Sequence, residues 1–306
     1  MKEVMNMNKN LKKALSLLFG ALFLSASGLA PASAVPDKAE EKSAQSKAVQ
    51  TEVDQASADK AAGQRDKIVE EAVTALAETE KALKALNDGK TDEALKALEK
   101  ATGKLELILA RDPGLALVPV SVDMVTYDLY ADVDTVKAVI KEAREALDEG
   151  RVQQARRLMS SLASEVVINT TNIPLATYPD AIKAISPLLD KGETEKAKAA
   201  LQAALNTLVV TTDVVPLPLL RSQYMLARAE KLAEKKERSE EDDKALNDLL
   251  QAADQELKLA EVLGYGSRRD FKPLHEQIGI IREKAAGGNS GKGWFDELKK
   301  RLSDLF

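Results

Sequence analysis

From Gly63 onward the apolar positions recur at steps of three and four residues, the spacing of one face of a helix. Ile68, Ala72, Leu76, Leu83 and Leu86 make one stripe, and Ala94, Leu98, Ala101, Leu105 and Leu109 make a returning one. A glycine divides them, and the division is written three times: Leu86–Gly89–Ala94, Leu147–Gly150–Ala155 and Leu189–Gly192–Ala197. Glycine takes positive φ without a Cβ penalty, so each copy predicts a helix stopped by a left-handed cap and restarted at once, a helical hairpin. Thr91 and Thr194, each followed by an acid, are expected as N-caps; Val152 makes the second copy's cap weaker. The expected fold class is all-α: repeated antiparallel helical hairpins with Pro-containing apolar connectors, forming an irregular helical bundle.

The connectors are GLALVPVSVDMVTYDLY (114–130), VVINTTNIPLATYP (166–179) and LVVTTDVVPLPLL (208–220). Their β-branched residues and their prolines (Pro119, Pro174, Pro179, Pro216 and Pro218) forbid long uninterrupted helices there. Spacings of 61 and then 42 residues between the hairpin glycines argue against a regular solenoid. Tyr127, Tyr130, Tyr178 and Tyr224 lie in or beside these connectors. As a group they could line an apolar interaction face for unfolded protein or a small ligand, or pack a core or an oligomer interface. The density of Val and Leu favours burial.

Past Leu219 a helical pattern runs to Leu232 and meets KKERSEEDDK, where Ser239 followed by four acids predicts a capped helix start rather than a cation site. A core helix is expected over about 242–262, ending at Gly264, and a shorter one around Pro273 to Lys284. The polar stretch 35–60 predicts a flexible arm, residues 61–286 the helical domain, and 287–293 a Gly-rich linker. Residues 294–306 predict an amphipathic C-terminal helix with Trp294, Phe295, Leu298, Leu302, Leu305 and Phe306 on one face. That face can dock on a membrane surface, a client or a partner, or fold back on the bundle; the loose linker favours external docking.

Residues 1–34 read as an export signal: Lys9, Lys12 and Lys13, then the apolar run Ala14 to Leu24, then Ala32-Ser33-Ala34 as the cleavage site. The expected location is the periplasm, with cleavage after Ala34. The remaining chain carries 40 Lys and Arg against 48 Asp and Glu, a net charge near −8. This balance disfavours nucleic acid as a partner. The chain has no cysteine, which rules out disulfides and thiolate metal sites.

Catalytic residues, cofactors and metals are not expected. His275 is the one histidine, without a second at ligand spacing, and reads as structural or solvated. GGNSGKG (287–293) fails as a phosphate loop, since Gly293 stands where Ser or Thr should follow Lys292. Asp132 and Asp134 precede a helix and read as N-terminal charge.

The tracts YDLYADVDTVKAVIKEAREAL (127–147), ASEVVINTTNIPLATYPDAIKAI (163–185) and LQAALNTLVVTTDVVPLPLL (201–220) closely resemble the YfdX family of exported bacterial proteins. The similarity covers about residues 60–265. The resemblance implies an all-helical, periplasmic, homo-oligomeric protein associated with stress responses, heat and acid among them. It supplies no catalytic residue. The expected function is a non-enzymatic stress-tolerance protein that limits aggregation of stressed envelope proteins as a holdase-like chaperone. The alternatives are a module binding a small apolar ligand or lipid in a tyrosine-lined cleft, and a scaffold recruiting an envelope partner through its C-terminal helix.

Overall fold

The three apolar connectors are strands. In the computed structural model, which describes residues 42–286 and 291–305, β1 (Leu117–Tyr127), β2 (Glu165–Pro174) and β3 (Val209–Pro216) form one antiparallel sheet in the order β1-β2-β3. The chain is thus mostly helical but not all-α. The prolines that exclude helix are compatible with the sheet: Pro174 and Pro216 end their strands, and Pro119 adjoins the register shift between Pro119 and Ser121.

Each strand follows a glycine-linked pair of helices. These are α3 (Glu70–Asn87) and α4 (Thr91–Arg111) before β1, and α5 (Val133–Asp148) and α6 (Val152–Met159) before β2. The third strand follows α7 (Tyr178–Lys183), α8 (Ser186–Asp190) and α9 (Thr194–Leu205). Gly89, Gly150 and Gly192 have φ of 74°, 74° and 72°. At each, two backbone bonds close the preceding helix, as where Gly89 N–H reaches Leu86 O and Lys90 N–H reaches Ala85 O. The helices on either side pack on each other. Between α3 and α4 the buried residues are largely alanine (Ala72, Ala75, Ala82, Ala94, Ala97 and Ala101), which lets the backbones approach closely. Thr91 and Thr194 are not N-caps: each is the first residue of its helix, and Lys90 and Glu193 precede them without a side-chain cap bond. The glycine turn leaves no extended residue at the threonine.

The arm expected over 35–60 is helical over most of its length, as α1 (Ala44–Ala48) and α2 (Gln50–Arg65). Val49, Val53, Ser57 and Ala61 repeat every four residues and are all buried, a stripe too small in side-chain volume to stand out in a polar segment. Beyond β3 come α10 (Leu217–Ala233), α11 (Glu240–Leu263), α12 (Arg268–Ala286) and α13 (Asp296–Ser303). Ser239 forms a full capping box with Asp242 at the start of α11, and Gly264, φ 86°, ends it. Residues 1–41, which hold the expected export signal, lie outside the described residues, as do 287–290 of the linker and Phe306.

Two cores share the sheet. One gathers α2, α10, α11, α12 and α13 around Val166, Ile168 and Val215. The other gathers α3, α4, α7, α8 and α9 around Val118, Val120 and Ile173. A small third cluster of Ala143, Ala146 and Ala155 joins α5 to α6.

Candidate functional site

Register decides which side chains share a face of the sheet. Val122, Met124 and Thr126 on β1 pair with Thr170, Ile168 and Val166 on β2, which pair in turn with Thr211, Asp213 and Val215 on β3. The β2 residues of this face, Val166, Ile168, Thr170 and Asn172, are all buried. The opposite face carries Val125, Val167 and Val214 in one row across the three strands, with Asp123, Asn169 and Thr212 in the next. Tyr127 and Val210 lie at its two ends. Here Val125, Val214 and Val210 are 42%, 45% and 57% exposed, and Tyr127 is exposed too. A valine row open to solvent across a sheet is unusual, because β-branched residues at such positions ordinarily mark a covered face.

β3 adds an edge. Among the described residues it pairs only with β2, and Val209 to Val214 are all exposed. This side of β3 therefore presents backbone donors and acceptors beside apolar side chains, the combination that recruits a further strand. No proline or lysine blunts it within Val209–Val215. The rim is acidic, with Asp123 and Glu165 on the same face. The sheet is held firmly from behind. Tyr265 Oη accepts the Ser164 N–H at 2.9 Å, and Leu217 N–H reaches Ser164 O at 2.9 Å, fixing the entry to β2 and the exit from β3. Burial, with Glu165 close by, holds the Tyr265 phenol well above its ordinary range, so it stays neutral. Across the face itself Thr212 Oγ1 donates to Asn169 Oδ1 at 2.8 Å.

The ten residues singled out from the sequence do not form one surface. Tyr127 and Tyr130 are exposed, Tyr178 is fully buried in the second core, and Tyr224 packs half-buried against the first. The tyrosine-lined cleft is therefore absent. Phe295, Leu298 and Leu302 are buried in the first core, and Trp294 and Leu305 pack against it. Phe306 lies outside the described residues. The tail folds back because its linker is anchored: Gly291 N–H donates to Ala233 O at 2.7 Å, and Lys299 Nζ reaches Glu230 at 2.7 Å. Val125, Val167, Val210 and Val214 were missed; their signal was the β-branched tract itself.

Among the described residues, no group of three His, Cys, Asp or Glu is placed to hold a metal ion. No helix among them is long and apolar enough to cross a membrane. Asp132 caps α5 by accepting the Thr135 N–H at 2.6 Å, which holds its carboxyl below the usual range.

Residues 75–214 match the family model described as YfdX protein. The chain carries a YfdX domain. Within it lie most of α3, all of α4 to α9, all of β1 and β2, and the whole valine row. Among solved structures, one of Salmonella Typhi YfdX is similar at 19% identity and a TM-score of 0.36, covering 50% of this chain and 95% of that one. No curated protein matches.

Proposed function

We propose that this is a non-enzymatic periplasmic stress-tolerance protein, acting under heat or acid as a holdase-like chaperone that limits aggregation of envelope proteins. The open sheet face is its client surface. The observation that carries this reading is the exposed valine row beside the unpaired edge of β3. An extended segment of an unfolding client can hydrogen-bond along that edge and lay alternate side chains beside Val210 and Val214, a mode of recognition that does not depend on client sequence. The acidic rim keeps such a surface soluble. Export to the periplasm rests on the signal-like N-terminus, and homo-oligomer formation on the family resemblance. The C-terminal helix, packed in the core, is no longer the docking element.

The test is light scattering of citrate synthase during heating, and during a shift to about pH 4 where carboxylates titrate, with the chain lacking residues 1–34. Suppression is expected under one or both stresses, and the double variant Val210→Lys/Val214→Lys should lose it while keeping its helical circular dichroism. No suppression at several-fold molar excess would sink the proposal.

A further inference from the structure

A cavity of about 520 Å³ lies between the start of α1, the β1–α5 loop, α10 and α11. It falls within the range of roughly 300–1,000 Å³ usual for small-molecule sites. It shares no residue with the open sheet face. Part of its lining is ionic and deeply buried. Arg221 is 2% exposed, and its Nη2 donates to Asp128 Oδ1 at 2.7 Å. The other oxygen of Asp128 lies 2.5 Å from Lys42 Nζ. Glu256 is more than nine-tenths buried, and its Oε1 accepts from Ser46 Oγ at 2.6 Å. Burial pushes the Glu256 carboxyl up, against the opposing pull of Arg221 and Ser46.

Two atoms on these residues have no partner among the described residues: Glu256 Oε2 and Arg221 Nε, both buried. Unpaired buried polar atoms are rare and point to something that completes them. Their demands differ. Arg221 Nε–H can only donate, whereas Glu256 Oε2 accepts when ionised and donates when protonated. A hydroxyl group both donates and accepts, so neighbouring hydroxyls satisfy the two atoms in either state of Glu256. The other charges at the cavity are already engaged: Asp128 by Arg221 and Lys42, Asp248 by Lys244 at 2.8 Å, Asp132 by its cap bond. Apart from Glu256 itself, which burial biases toward its neutral form, an ionic ligand would find no free counter-charge there. Gln251 and Gln255 add amides that both donate and accept, and the half-exposed ring of Tyr130 adds a flat apolar surface.

We propose that this cavity binds a small polyhydroxylated molecule, a sugar or polyol. Adjacent hydroxyls bridge Arg221 Nε and Glu256 Oε2 as these two closed-off groups turn toward the cavity, Gln251 and Gln255 hold the outer hydroxyls, and the ring face of Tyr130 not covered by Lys42 Nζ receives the C–H face. An ordered water would complete the same two atoms, and the experiment separates these occupants. Sugars stabilise folded proteins without binding them, so a thermal shift is not diagnostic. Isothermal titration of the full chain is, with glycerol, glucose and trehalose as probes and spermidine as the cationic comparison. The expected result is saturable binding of at least one hydroxylated probe, the smallest that binds telling polyol from sugar. Gln251→Ala/Gln255→Ala, at two exposed positions, should weaken it at least tenfold with the fold intact, and Glu256→Ala, checked for an unchanged circular dichroism spectrum, should weaken it independently. Absence of saturable binding by all three, binding indifferent to these substitutions, or preference for spermidine would each overturn the proposal. The readout is binding rather than aggregation, so it stands or falls apart from the chaperone reading.

Discussion

The Nδ1 of His275 lies 2.6 Å from Oδ1 of Asp254, tying α12 to α11 through the one histidine of the chain. Lys258 Nζ holds the other Asp254 oxygen at 2.7 Å, and His275 Nε2 faces Glu261 at 3.5 Å. Burial raises the Asp254 pKa, but the bonds from His275 and Lys258 lower it by more, so the net direction is down. A carboxyl depressed in the folded state adds stability above its unfolded pKa, and that stability is lost as pH falls through the folded value. Asp254→Asn is therefore expected to cost about 1–3 kcal/mol at pH 7. The difference from the parent should shrink as pH drops below about 4. Urea unfolding at pH 7 and pH 3 checks both parts.

Gly89 is left-handed, with φ 74°, and a Cβ added there would meet nothing within 4 Å. The cost of Gly89→Ala is then purely conformational, about 1–2 kcal/mol. For a chain of this size that corresponds to a fall in Tm of a few degrees. Calorimetry of Gly89→Ala beside Gly63→Ala, in a helix interior with equally open surroundings, should show opposite signs.

Phe295 tests the seating of the tail. It is fully buried in the first core, so Phe295→Ala is expected to cost about 3–5 kcal/mol. A tail that docked only on external partners would make the same substitution nearly neutral in chemical denaturation.

Gly291 carries a steric prediction. A Cβ there would stand 2.6 Å from Ala233 Cβ and 3.0 Å from Ala233 O. Gly291→Ala should lift the segment off α10 and speed tryptic cleavage at Lys299, Lys300 and Arg301, with cleavage inside α3 and α4 unchanged.

Legibility in the sequence followed the range of the interaction. The glycine stops, the Ser239 cap and the stripes of α3 and α4 were readable because every partner lies within a few turns. The sheet was not. Val125 pairs with Val167, which pairs with Val214, across more than forty residues each time. Its central strand also carries apolar residues on both faces, Val166 and Ile168 inward and Val167 outward, so no alternation announced it. The prolines reinforced the error by excluding helix without revealing that strand ends tolerate them. In the tail, the amphipathic pattern was correct, but amphipathicity does not say what an apolar face covers. Long-range contacts decide that, among them the Gly291 to Ala233 bond, between residues 58 positions apart, and the Lys299 to Glu230 ion pair. The tyrosines misled for the reverse reason: shared composition is no evidence of shared location.

β2 has one end in each core, with Val166 and Ile168 in the first and Ile173 in the second. It is also the central strand, bonded on both sides. Melting either core therefore strips a partner from the other through a single ten-residue element. Heating should remove both cores in one calorimetric peak. The α5–α6 pair, whose own cluster is three alanines, is free to exchange its amides earlier. Stress on such a molecule would first loosen this side branch while the sheet, and with it the exposed valines of β1 and β3, stays intact.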